Sequence, residues 1–134
     1  MSLQVCIMTP DRIFLNSKAE EIILPTNTGQ MGVLSNHAPL ITALDIGVML
    51  IRANNDWTSI ALMGGFALVK QNQITVLVNE AESSKTIEVE EAENSFNKAK
   101  IKLEEAEGQK QKVEANFVFK RARARYQVVK QSNK

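Results

Sequence analysis

The stretch Ser84-Lys-Thr-Ile-Glu-Val-Glu-Glu-Ala-Glu-Asn-Ser-Phe-Asn-Lys-Ala99 is where the chain changes character. Before it, short apolar runs are punctuated by Gly, Asn and Pro. After it there is no Pro, Gly108 is the one Gly, and apolar residues recur at helical spacing. Ala92, Phe96, Ala99, Leu103 and Ala106 follow at intervals of four, three, four and three, a narrow packing stripe on one helix face. Glu88, Glu90, Glu91 and Glu93 crowd the first turns, where the helix dipole favours negative charge. Gly108 with Gln109 and Lys110 marks the expected break. Ala115, Phe119, Ala122, Tyr126 and Val129 then repeat the same spacing. Two such stripes close on each other as an antiparallel helical hairpin.

Upstream of residue 85 the pattern is that of short strands. Leu3 to Met8 is apolar-rich and ends in the turn signal Thr9-Pro-Asp-Arg12. Ala19 to Leu24 follows and is expected to stop before Pro25. Gly29 and Gly32 suit positive φ in a tight hairpin. Leu40 to Leu44, Ile46 to Arg52, Trp57 to Met63, Phe66 to Val69 and Ile74 to Val78 complete the series, with Asn54-Asn-Asp56 as a turn. Evenly spaced short strands without intervening helix favour a sandwich or barrel. The expected class is α+β, with a β-domain over residues 1–84 and a helical domain over residues 85–134.

Charge is sorted along the chain. Residues 108–134 carry eight Lys/Arg against Glu114 alone, net +7, while residues 88–107 carry three Lys against seven Glu, net −4. The formal total of +1 hides a basic tail suited to an acidic partner. On the second helix Val113, Phe117, Ala124 and Val128 form a further apolar strip. Arg121 and Arg125 lie between the two strips and Arg123 lies on the far side. The second strip either packs on the β-domain or awaits a partner protein.

Catalytic chemistry is poorly represented. His37 is the only histidine and Cys6 the only cysteine, so a structural zinc site lacks ligands and a Cys-His pair lacks an orienting group. Cys6, among Val5, Ile7 and Met8, reads as a small buried hydrophobe. Neither a phosphate loop nor a dinucleotide fingerprint is present, and the clustered carboxylates read as a solvated helix face. No apolar stretch approaches the roughly 20 residues that span a bilayer, and the N-terminus lacks a signal or transit pattern. A binding or regulatory protein without metal or cofactor is expected.

Thr28-Gly-Gln-Met-Gly-Val-Leu34, Asn36-His-Ala-Pro39, Leu44-Asp-Ile-Gly47, Met63-Gly-Gly-Phe-Ala67, Ile74-Thr-Val-Leu-Val78 and Lys120-Arg-Ala-Arg-Ala-Arg125 together resemble the epsilon subunit of the F-type ATP synthase over essentially the whole chain. Glu21-Ile-Ile-Leu-Pro-Thr26, Ala61-Leu-Met-Gly-Gly-Phe66 and Glu114-Ala-Asn116 look most like chloroplast and cyanobacterial members. The resemblance implies a flattened sandwich of about ten strands followed by a helical hairpin. It implies a non-catalytic rotor subunit that links the gamma subunit to the c-ring, couples proton flow to ATP synthesis, and restrains ATP hydrolysis through its hairpin. It also implies a peripheral place on the thylakoid membrane, on the stromal side in a chloroplast or the cytoplasmic side in a cyanobacterium.

Carried over residue by residue, Asn36, His37, Ala38 and Pro39 match the loop implicated in the gamma contact and coupling. Gln30 and Met31 match the tight loop facing the c-ring. Lys120, Arg121, Arg123 and Arg125 match the basic helix that meets an acidic segment of the beta subunit, with alpha alongside. The plainer readings are a hydrogen-bonded loop histidine at His37 and a solvated basic face. Some members bind ATP through Ile-Asp-x-x-Arg-Ala; here Ile87-Glu-Val-Glu-Glu-Ala92 puts Glu91 where the motif has Arg, so ATP binding is not expected. The alternative is a nucleic-acid-binding module built on the basic helix, although Tyr126 is its one aromatic suited to stacking on bases. A membrane-surface helix fits less well, for want of Trp and a single Phe-bearing face.

Overall fold

The computed structural model describes residues 2–132; residues 1, 133 and 134, included in the two expected domains, lie outside the described residues. Eight strands precede two helices: β1 Leu3–Thr9, β2 Arg12–Ala19, β3 Glu21–Thr26, β4 Gly29–Leu34, β5 Leu40–Ala53, β6 Asp56–Lys70, β7 Gln73–Val78, β8 Ala81–Ser83, α1 Val89–Glu105 and α2 Gly108–Ser132. The ladder runs β2-β1-β7-β6-β5-β3-β4, with β8 also on β6.

β5 and β6 are the long strands, and each contributes to two layers. The Gly65–Lys70 half of β6 pairs with β7, and Ile60 to Leu62 pairs with β8. The first layer holds β2, β1, β7 and the adjoining halves of β6 and β5. The second holds β8, the other halves of β6 and β5, then β3 and β4. Counting each half as a strand gives five per layer and reconciles eight continuous strands with the ten expected. The register of β5 on β6 is kept across the bend, from Leu44 with Gly65 to Ile46 with Met63. The expected interruptions at Asp45 and at Gly64-Gly65 are therefore corners within strands rather than strand ends.

Alternate side chains of both layers meet in one core that includes Val5, Ile7, Ile22, Leu24, Val33, Met49, Ile60, Leu62, Ile74 and Val76. Gly65 (φ +155°) is required at the corner because a Cβ there would lie 2.0 Å from the Leu77 carbonyl oxygen. Gly47 serves a second approach, since a Cβ would fall 2.9 Å from Pro25 Cβ.

Three strand expectations need correction. β2 reads poorly as a strand because it is an edge, polar at Asn16, Ser17 and Lys18, with a bulge at Phe14 where the register shifts from Ile7–Leu15 to Met8–Ile13. β3 does not stop before Pro25 but runs to Thr26. Pro25 pairs with Gln30 on one side and meets a register break toward β5 on the other, so its missing N–H is tolerated. Gly29 takes positive φ (+119°) at the β3–β4 turn, whereas Gly32 lies within β4 and does not.

The helices form the expected hairpin. Ala92 and Ala99 of α1 are buried, and Phe96 packs against Phe119 and Tyr126 with ring centroids 5.6 and 5.2 Å apart. The break lies at Ala106-Glu107, slightly before the expected place. Gly108 (φ +76°) opens α2, and the Gln111 side chain accepts the Glu107 N–H at 3.1 Å. Among the described residues no helix is long and apolar enough to cross a membrane.

Gly65→Ala is expected to cost about 3 kcal/mol or to prevent folding, because backbone rather than a movable side chain meets the new methyl. Gly29→Ala, with open space around it, should cost about 1 kcal/mol. Urea denaturation midpoints of the two variants check the contrast.

Candidate functional site

The basic helix does not stand alone. Lys120 Nζ lies 3.3 Å from Asp45 Oδ2, and Arg121 forks onto Glu80 through Nε and Nη2 at 3.4 and 3.1 Å. Arg125 Nε donates to Glu82 Oε1 at 2.9 Å, Nη2 to Glu82 Oε2 at 3.4 Å, and Nη1 to Glu91 Oε1 at 3.1 Å. One guanidinium thus joins β8, α1 and α2, with its side chain only 14% exposed. Burial works against the Arg125 charge, but the hydrogen bonds it donates to Glu91 and Glu82 outweigh it and its pKa is raised. The hydrogen bond from Arg125 holds the Glu91 carboxyl below its ordinary pKa against some desolvation, helped by the Ser95 hydroxyl.

Sequence spacing shows no carboxylate near residues 120–125 except Glu114. The fold supplies Asp45, Glu80 and Glu82 from the β-domain and Glu91 from α1. Glu91, expected on a solvated face, is one arm of this network. Arg123, on the far side as expected, has its guanidinium 5.2 Å from the Phe119 ring centroid.

Beneath the ion pairs, Ala92 of α1 and Ala124, Val128 and Val129 of α2 pack on Ala61, Met63 and Ile87, a cluster separate from the main core. The second apolar strip packs on the β-domain over one half of its length. Ala124 and Val128 are buried against the β-domain, while Val113 and Phe117 are exposed.

The hairpin covers one outer face of the sandwich. The opposite face is open and apolar. Strand register aligns Ala43, Phe66, Leu77, Met8 and Ile13 in one row across five strands, and Ile41, Leu68, Thr75 and Cys6 in the next. Phe66 is 59% exposed, Leu77 51% and Ile41 72%. Cys6 is half-buried on this face rather than in the core. The sequence places these residues, Ile13 excepted, in strands but does not mark the face they share. Their signal is a departure from alternation: Phe66-Ala-Leu-Val69 and Val76-Leu-Val78 are apolar at both parities, which marks a strand covered on two sides.

The Asn36–Pro39 loop adjoins this face through Leu40 and Ile41. Asn36 (φ +66°) donates its N–H to Asn72 Oδ1 at 2.6 Å. His37 Nδ1 donates to the Ala38 carbonyl oxygen at 2.7 Å, which sets its tautomer. Ala38 and Pro39 are exposed. Gln30 and Met31 belong to β4 rather than to the turn, which is Thr26 to Gly29; Gln30 is exposed, and Met31 packs partly on the core. Among the described residues no group of three or more His, Cys, Asp or Glu is placed to hold a metal.

Residues 2–84 match the beta-sandwich domain of the ATP synthase delta/epsilon chain, and residues 85–130 match its long alpha-helix domain. The chain belongs to the ATP synthase delta/epsilon family. It is 77% identical over 131 residues to the chloroplastic ATP synthase epsilon chain of Chlorella vulgaris, covering 98% of each chain. It is also 77% identical over 129 residues to that of Oltmannsiellopsis viridis, covering 96% of this chain and 98% of the relative. A chain of the Euglena gracilis mitochondrial ATP synthase shares the fold with a TM-score of 0.81 at 18% identity, covering 99% of this chain and 82% of that one.

Arg125→Ala is expected to weaken hairpin docking by about 1–2 kcal/mol, since it strands two carboxylates. Arg123→Ala, with no cross-element ion pair, should change docking by less than about 0.5 kcal/mol. Amide exchange along α2 measures both. The Glu91 contribution is present above its unfolded pKa and is lost as pH falls through the depressed folded value. Exchange protection of α2 should therefore hold through mildly acidic pH, step down slightly below the ordinary carboxylate range, and lack that step in Arg125→Ala.

Proposed function

We propose that this chain is the epsilon subunit of a chloroplast ATP synthase, a non-catalytic rotor subunit on the stromal side of the thylakoid membrane. The observation that carries the reading is whole-length similarity to chloroplastic epsilon chains, joined to a sandwich with one face left apolar and uncovered. That face supplies the gamma contact: Phe66, Leu77, Leu68 and Ile41 form its centre, and Asn36, His37, Ala38 and Pro39 border it. Contiguous exposed apolar surface of this kind marks a protein interface. Aromatic and aliphatic side chains at its middle are the expected anchors.

The turn at Asn27-Thr28 with Gln30 beside it faces the c-ring, and Met31 braces that hairpin from the core side. The hairpin domain, residues 85–134, restrains ATP hydrolysis by presenting Lys120, Arg121, Arg123 and Arg125 to an acidic segment of the beta subunit. No nucleotide cofactor enters this reading: Glu91 stands where the ATP-binding motif has Arg, pairs with Arg125 at 3.1 Å, and would repel a triphosphate. The nucleic-acid reading has no support among the relatives, which are ATP synthase epsilon chains.

The test is direct binding to gamma. Phe66→Glu with Leu77→Glu should weaken the complex by roughly 100-fold or more while leaving urea stability near that of the parent, because both side chains are exposed. A chain ending at Ser84 should fold and bind gamma normally. Unaltered binding by the double variant would overturn the assignment of this face.

A further inference from the structure

We infer that Asn72 is the positioning residue of the Asn36–Pro39 loop: its side-chain oxygen holds that loop in the conformation that meets the gamma subunit. The inference rests on the proposed place of the loop at gamma and names what fixes it there. Residues 35–39 lie between β4 and β5 and belong to neither strand. Asn36 takes φ +66°, a conformation that asparagine tolerates but that persists only where the surroundings hold it. The holding group comes from a distant part of the chain. The Asn36 N–H donates to Asn72 Oδ1 at 2.6 Å, across 36 positions. By contrast, the hydrogen bond from His37 Nδ1 to the Ala38 carbonyl oxygen closes within the loop and ties it to no other element.

Asn72 is itself held from two directions. It is the second residue of the two-residue β6–β7 turn, where Lys70 pairs with Gln73 and Gln71 and Asn72 take φ +50° and +62°. Two positive φ values in succession are those of a type I′ hairpin turn. The Asn72 carbonyl oxygen accepts the Gln4 N–H at 2.8 Å, so the start of β1 grips the same residue. β5 begins with Leu40 opposite Val69, which carries the preceding loop past this turn. The turn alone does not account for the half-buried Asn72 side chain, because glycine meets a positive φ at lower cost. An acceptor delivered from a hairpin pinned on both sides gives the exposed Ala38 and Pro39 a fixed place beside Ile41. A loop ordered before it meets its partner loses less entropy on binding.

Two full-length variants separate the acceptor from the turn. Asn72→Gly keeps the positive φ and removes the oxygen; Asn72→Asp keeps an oxygen in the same place. In Asn72→Gly the Asn36 amide should exchange about tenfold faster and the complex with gamma should dissociate about tenfold faster, the scale of one net hydrogen bond. Asn72→Asp should return both readouts to the parent values. Parent-like Asn36 exchange in Asn72→Gly, or weakened gamma binding that Asn72→Asp does not rescue, would overturn the inference. Faster exchange with parent-like gamma binding would overturn it as well, and Ala38→Glu then locates the fault. Weakened binding by Ala38→Glu leaves the loop at gamma and removes Asn72 alone from the account. Parent-like binding by that variant removes the loop from the gamma contact proposed above.

Discussion

The Leu77 carbonyl oxygen sits where any side chain at residue 65 would have to go, 2.0 Å from a Cβ built there. That contact lets β6 turn from its pairing with β7 to its pairing with β8 without losing register on β5. The corner folds one continuous ladder into two layers around a single core. It also fixes two outer faces, and their different chemistry follows from which side chains alternate outward on each half-strand.

On the β7 side the outward positions are Phe66, Leu68, Leu77 and Ile41, without a charged group in either central row. On the β8 side they are Ala61 and Met63, small or flexible, bordered by Asp45, Glu80 and Glu82. The first face suits attachment that salt leaves largely untouched. The second suits a contact held by several weak ion pairs over a thin apolar layer. The sandwich thus leaves one outer face apolar and open and holds the hairpin on the other through ion pairs over a small apolar cluster.

Much of this was legible in the sequence. The stripes of α1 and α2 were plain because helical periodicity is local, and the motifs from Thr28 to Val78 and at Lys120–Arg125 brought the family within reach. β2 was hidden because an edge strand need not alternate, and Pro25 misled because its bulge lies in the register with β5. The carboxylate partners of Arg121 and Arg125 were out of reach for a different reason. Glu80 and Glu82 stand about forty positions upstream, and only the fold of α2 back across β8 brings them together. The open apolar face left a trace in the two-sided runs at Phe66–Val69 and Val76–Val78. Which parity faced outward depended on the corner at Gly65.

The division between faces is tested most directly by hydroxyl-radical footprinting of the full chain alone and with stoichiometric gamma subunit. Side chains Met8, Ile41, Phe66, Leu68 and Leu77 should become protected on binding, with Met63 and Tyr126 unchanged beneath and within the hairpin. Protection confined to the hairpin, or a loss of protection at Met63 without any gain at Phe66 and Leu77, would contradict it.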